Sequence, residues 1–357
     1  MKYIPLLALA ASAVIAAAPA SAAPRTAAQV VAENGVYFWI DGRYERLKLP
    51  TYSLGFRNTG FPVPIDDHGP AQIFNPRLDG GGVRGAIGYR LPGTNTRIEF
   101  GGSYLDASTT ESQTTSPGPG LVVQLMSGAI GAGAFNCIGA PISTCSATGR
   151  LDTDYSAWQF NGKAETDWRY GSVTVTPFVA VFGGNTRADQ ALFQSLTQVN
   201  IAGGTVHTAD YSVTTRLQWR DLGARAGLNL NTSVTPAFIV GIGGAVGVAI
   251  RRVSLSGNDV GSSDLPVPHA TSSALSLSDS KAVLLANAEA SFTYRLAQMM
   301  ALRGFAGLNF DSDVPGIAGP SFQIAALRSA SITYANEMSF YAGGGLVVTF
   351  GGPSATR

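Results

Sequence analysis

The sequence predicts an all-β fold: a closed antiparallel transmembrane β-barrel of about ten strands, with long loops at one end and short turns at the other. Three observations lead there. Of 357 residues, 45% are hydrophobic and only 13% charged, roughly half the charge of an ordinary soluble domain. Beyond the first two dozen residues no apolar run reaches the ~18 residues that a helical span requires. Period-two alternation, apolar on one face and polar on the other, recurs along the chain. Plentiful aromatic and β-branched residues with so little charge also exclude disorder.

The chain opens Met1-Lys2, continues with an apolar run over 3–18 and reaches Ala20-Ser21-Ala22. A basic start, a short apolar core and an Ala-x-Ala site read as a secretory signal peptide over 1–22, leaving 23–357 as the barrel. Without Lys2, basic and acidic side chains balance at 23 each. No basic cluster remains for a nucleic acid partner.

Strand one is read over Val36–Lys48, where Val36, Phe38, Ile40 and Tyr44 alternate with Trp39, Asp41, Arg43 and Glu45. Residues 81–91 set Val83, Ile87 and Tyr89 against Arg84 and Arg90, and after Pro92-Gly93-Thr94-Asn95 residues 96–107 set Ile98, Phe100 and Tyr104 against Arg97 and Glu99. The same pattern marks 154–168, 171–184, 234–254, 281–296, 299–312 and 336–350. In 211–230 the apolar phase changes from Val213, Leu217 and Trp219 to Leu222, Ala224, Ala226 and Leu228. A β-bulge near Arg220–Asp221 would account for that shift. The gaps 49–80, 108–153, 185–210, 255–280 and 313–335 are rich in Gly, Pro, Ser, Thr and Asp and read as extracellular loops. Within them, 121–135 and 322–334 are apolar enough to hide one more hairpin, which would make twelve strands. Cys137 and Cys145 lie eight apart in one loop, spaced for a local disulfide in an exported chain.

One face of the predicted strands carries nearly all the charge: Asp41, Arg43, Glu45, Arg84, Arg90, Arg97, Glu99, Lys163, Glu165, Asp167, Arg216, Arg225, Arg251, Glu289, Arg295, Arg303, Asp311 and Glu337. The other face suits hydrocarbon, where a basic residue at midplane costs about 2–4 kcal/mol. The charged face therefore points into the lumen. Tyr44, Tyr104, Trp168, Tyr294 and Phe350 are placed for aromatic girdles at the two membrane surfaces.

The signal segment, the alternating strands and the aromatic last strand, Ser339-Phe340-Tyr341 through Val347-Val348-Thr349-Phe350, resemble bacterial outer-membrane β-barrel proteins of the porin-like kind. The resemblance implies the outer membrane of a Gram-negative cell, with outer-membrane lipid and lipopolysaccharide around the barrel. It also implies a last strand read by the barrel-assembly machinery. More narrowly, Trp219-Arg220-Asp221-Leu222-Gly223-Ala224-Arg225-Ala226-Gly227-Leu228-Asn229-Leu230, followed by an apolar Gly-rich return strand, is similar to the Legionella major outer-membrane-protein family of pore formers.

Histidine is scarce, with His68, His207 and His269 all in predicted loops. Asp66-Asp67-His68 and His207-Thr208-Ala209-Asp210 could meet above the barrel, as the acid–His pairs of omptin surface proteases do, but loop spacing cannot establish general-base reach. Asp259 with Asp264, and Asp311 with Asp313, lack a calcium-loop pattern. No cofactor, metal or enzymatic activity is expected. The lumen charges admit two readings: paired, they plug the barrel; segregated, they line a selective constriction. Arg43, Arg84, Arg90 and Arg97 are expected to form one basic wall, with Glu165, Asp167 and Glu289 elsewhere on the circumference. The favoured expectation is a narrow passive channel for small hydrophilic solutes. The alternatives are a non-conducting surface protein whose loops bind partners and an omptin-like protease.

Overall fold

The alternating segments form strands that pair into one closed ring. The structure, a computed structural model, describes residues 35–58, 67–115, 121–124, 130–135, 143–200, 203–264, 269–319, 321–323 and 326–350. The expected signal peptide and the Cys137–Cys145 pairing lie outside the described residues. The barrel strands are β1 (Val36–Lys48), β2 (Arg77–Arg90), β3 (Thr96–Thr115), β4 (Ser143–Thr166, resumed at Trp168–Tyr170), β5 (Val173–Asn200), β6 (Val206–Ser233), β7 (Phe238–Ser263), β8 (His269–Ala297), β9 (Met300–Ala318) and β10 (Ser331–Phe350). Each pairs antiparallel with the next, and β1 closes on β10 from Val36↔Phe350 to Arg46↔Phe340. No edge is left for lipid to meet. At the tight turns Gly93 and Gly171 take φ of +70° and +60°, values that favour glycine.

Along β7 the outward side chains are Phe238, Val240, Ile242, Val246, Val248 and Ile250, then Arg252, Ser254, Ser256 and Asn258. β8 changes likewise from Tyr294, Phe292 and Leu284 to Ser280, Ser278 and Ser276. An apolar belt thus surrounds the half nearest the short turns. Tyr44 and Tyr104 stand outward at its upper border, and Trp168, Tyr294 and Phe350 at the turn end, all at least 37% exposed.

Above the belt the wall does not dissolve into loops. A membrane-crossing strand needs about 9–11 residues, yet β5 and β6 have 28 each and β8 has 29. Most of the expected loops 185–210 and 255–280 are strand. Across them Asp189, Ser195, Ser256, Ser276 and Ser278 face outward while Leu192, Leu196 and Leu255 face inward and are buried, and Asp259 is turned inward with them. This inversion also removes the expected bulge in β6: its register with β5 and β7 runs unbroken through Arg220–Asp221. The apolar residues change face because the surroundings outside change from lipid to water. A register shift lies instead in β9, between Asp311 and Val314.

The two apolar loop segments do hold strands, but these do not join the ring. Leu121–Gln124 and Ile130–Phe135 join Tyr52–Asn58 and Asp67–Phe74 in a separate four-stranded sheet, and Ser321–Gln323 pairs with Ala326–Arg328. The four-stranded sheet is tied into the barrel mouth, where Gln194 Nε2 donates to Gln72 Oε1 at 2.7 Å.

The face inversion has a direct test. In a chain with Cys137 and Cys145 replaced by Ser, single Ser254→Cys or Ser256→Cys should react with a membrane-impermeant maleimide on intact cells. Val246→Cys and Val248→Cys should stay unlabelled. Labelling of the second pair, or silence of the first, would misplace the belt.

Candidate functional site: the barrel lumen

The lumen has two storeys, one ionic within the belt and one apolar above it. The ionic storey arises because inward positions of β1–β4 and β8–β10 carry charge, while small residues between them give room. Gly345 of β10 stands opposite both Asp41 and Arg303, and a Cβ there would collide with the Ile40 carbonyl and the Asp41 carboxylate.

Across that glycine floor four charges close a ring. Arg84 Nε meets Asp41 Oδ2 at 3.1 Å and its Nη1 meets Glu289 Oε2 at 2.8 Å. Arg303 Nη2 meets Glu289 Oε1 at 2.6 Å and its Nη1 meets Asp41 Oδ2 at 3.4 Å. Tyr341 donates to Glu289 at 3.2 Å, and the Arg84 guanidinium lies over the Phe305 ring at 3.8 Å. Asp41 is fully buried. The ring draws on β1, β2, β8 and β9, so it ties together half the circumference.

A second network lines the β1–β5 side. Arg97 meets Glu165 at 3.1 Å and Asp167 at 2.9 Å, and Lys163 meets Glu99 at 2.9 Å and Glu165 at 3.1 Å. Tyr37 and Trp39 both donate to Glu99 at 3.0 Å, and Thr176 donates to Asp167 at 2.8 Å. A third centres on Arg251, whose fork holds Asp221 and Asp311, each at 2.7 Å from Nη2, and also donates to the Asp313 carbonyl at 2.7 Å. The β9 register shift brings that carbonyl to the guanidinium, a re-aiming that bulges perform. Smaller links join Arg43 to Glu45 and Lys48 to Glu337. Among the described residues Arg225 has no carboxylate partner; it lies 5.8 Å from the Phe182 ring centroid.

These placements correct the sequence reading in three respects. Arg43, Arg84, Arg90 and Arg97 do not form a basic wall: three of them interlock with carboxylates. Arg90 instead bonds Thr94 O and Asn95 Oδ1, bracing the β2–β3 turn. Arg216 faces outward, pairing with Asp189 at 2.9 Å. It stands above the belt, where apolar residues take the inward positions of β6. Asp221 was missed because it sat at the supposed bulge; continuous alternation from Trp219 through Gly223 to Arg225 would have turned it inward. The remaining predicted lumen charges point inward, Arg295 among them.

Between the charged walls lies a cavity of about 580 Å³, lined by Arg84, Arg225, Asn229, Asn287 and Glu289 and reaching up to Leu47, Tyr155, Trp219 and Val314 of the apolar storey. Above it, inward side chains meet in cross-strand rows: Leu151–Leu192–Val213 and Leu217–Leu255–Leu277. Leu78, Leu105 and Ile317 join them, and Tyr52 and Phe74 reach in from the loop sheet. Leu78, Leu151, Leu192, Leu255 and Phe74 are each at most 1% exposed. Burial pushes the Tyr52 phenol above its ordinary pKa, so it stays neutral there.

At the outer rim His207 Nδ1 lies 3.6 Å from Asp264 Oδ1. Asp66 and the side chains of Asp67, His68 and His269 lie outside the described residues. Asp259 accepts from Tyr211 at 2.6 Å and from Ser273 at 2.6 Å. Asp313 pairs with Lys281.

No family model and no curated protein matches the chain. Among solved structures, the outer membrane protease OmpT from Escherichia coli aligns at 10% identity with a TM-score of 0.36, covering 88% of this chain and 96% of that one. The translocator domain of the autotransporter NalP from Neisseria meningitidis aligns at 10% identity and 0.34, covering 88% of each. A Pseudomonas aeruginosa FadL homologue aligns at 7% identity and 0.28, covering 91% of this chain and 93% of its own. At such values these likenesses are to the barrel form alone. A closed ring without edges, belted by apolar and aromatic side chains and ionic within, is the architecture of an outer-membrane β-barrel.

Proposed function

We propose that this protein is a non-conducting outer-membrane barrel, without enzymatic activity, whose long strands raise a rigid rim above the membrane for contacts outside the cell. One observation carries the reading: above the belt the inward side chains form one buried, mainly apolar cluster, from Leu47 and Leu78 through Leu192 and Leu255 to Ile317. A path for small hydrophilic solutes would have to wet that core, and stripping water from an ion inside it is costly. The interlocked charges below support the same reading, since pairing braces the wall rather than lining an open constriction. Strands long enough to hold the rim well above lipid suit presentation of a binding surface, which loops on rigid scaffolds commonly provide.

Purified protein in planar bilayers should give no discrete conductance steps in molar salt, while heat-modifiable gel mobility confirms that it is folded. Reproducible steps of uniform size from folded protein would establish the narrow channel instead.

A further inference from the structure

On the outer surface, Arg220 of β6 and Arg252 of β7 are direct cross-strand partners. Both face outward and are exposed. Like charges directly opposite on one sheet face are destabilising, and among the described residues no carboxylate pairs with either. The neighbouring outward residues in that row are Asn185 on β5 and Ser280 on β8, which bring no negative charge.

Their height gives the pair its meaning. The next outward pair towards the short turns is Leu222↔Ile250, 73% and 60% exposed and part of the lipid belt. Two residues of strand rise separate the rows, about 7 Å. The arginines therefore stand at the level where hydrocarbon gives way to headgroups. Just above them are Arg187 and Arg216, with Asp189 as the shared counter-charge. This sector of β5–β7 is thus distinctly basic. On the β1–β3 side the corresponding border carries Asp79 and Asp106 with Arg46, so the excess is local.

We propose that Arg220 and Arg252 together bind a phosphate group of an outer-leaflet lipid. Two guanidinium forks converging on one phosphate replace mutual repulsion by paired charge-assisted hydrogen bonds, the geometry for which arginine is suited. Asn185 and Ser280 stand beside the forks to bond the headgroup's neutral oxygens. The lipid would hold β6 and β7 where the wall leaves the membrane and the apolar core begins.

The test uses the full folded chain in dodecyl maltoside micelles, which carry no phosphate, with and without a minor fraction of lipid A. Lipid A should raise the thermal unfolding midpoint of the wild type. In Arg220→Gln/Arg252→Gln that rise should vanish, with apparent affinity for lipid A reduced about tenfold or more. In micelles alone the same variant should melt at or above the wild type, because the repulsion is gone. Arg46→Gln, on the other sector, should keep the lipid A response. An unchanged rise in the double variant, or no rise in the wild type, would overturn the site. An equal rise with inorganic phosphate in the micelles would also overturn it, by removing the lipid from the interaction. Both residues are exposed, so loss of folding in the double variant would mean they have another, structural partner.

Discussion

Arg84→Glu should lower stability by at least the 3–5 kcal/mol that follows from breaking a buried ion pair. Arg84 holds Asp41 and Glu289 at once, so the change removes one of two cations from the ring and adds a third carboxylate. Arg303 alone cannot balance them. The urea midpoint of the folded barrel in micelles should fall sharply, or folding should fail. Adding Glu289→Arg restores two charges of each sign and a pair between positions 84 and 289, though with like charges beside Asp41 and Arg303, and should recover part of the loss, which a double-mutant cycle reads directly. An Arg84→Glu protein with unchanged midpoint would mean that water fills the lumen and screens the ring, the condition for a conducting pore.

Leu255→Asp should have a comparable effect by a different route. Leu255 is 1% exposed and packs in the row with Leu217 and Leu277. Truncation to Ala should cost about 2–5 kcal/mol. A carboxylate placed there has no partner and must either stay protonated or open the core to water. Protease should then cut within the extension above the belt while the lipid-embedded half stays protected. If Leu255→Asp leaves both stability and protease resistance intact, the upper lumen is already wet and the non-conducting reading falls.

Much of this architecture is legible in the residues themselves. Alternation in Val36–Lys48, with Asp41, Arg43 and Glu45 on one face, sufficed to turn those charges inward, because lipid tolerates only the other face. The short Pro92-Gly93 turn and the scarcity of charge pointed to the same barrel. Reading failed where the solvent outside changes. In 211–230 and 234–263 the sequence keeps a period of two, but apolar residues move to the opposite face once the strand leaves the membrane. A rule that assigns the apolar face to lipid then invents a bulge, mistakes strand for loop, sends Arg216 inward and overlooks Asp221.

Period and composition by themselves determined a ring of about ten strands with a charged interior, since this follows from the local demand that every strand satisfy lipid on one side. Which charges pair, where the lumen is sealed and which arginines share a row are set by register and closure. Arg84 meets Glu289, 205 positions later, only because β1 closes on β10. Tyr52 and Phe74 enter the core only because the loop sheet folds into the mouth. Such contacts depend on where distant strands come to lie around the ring, and no window of local sequence contains that distance.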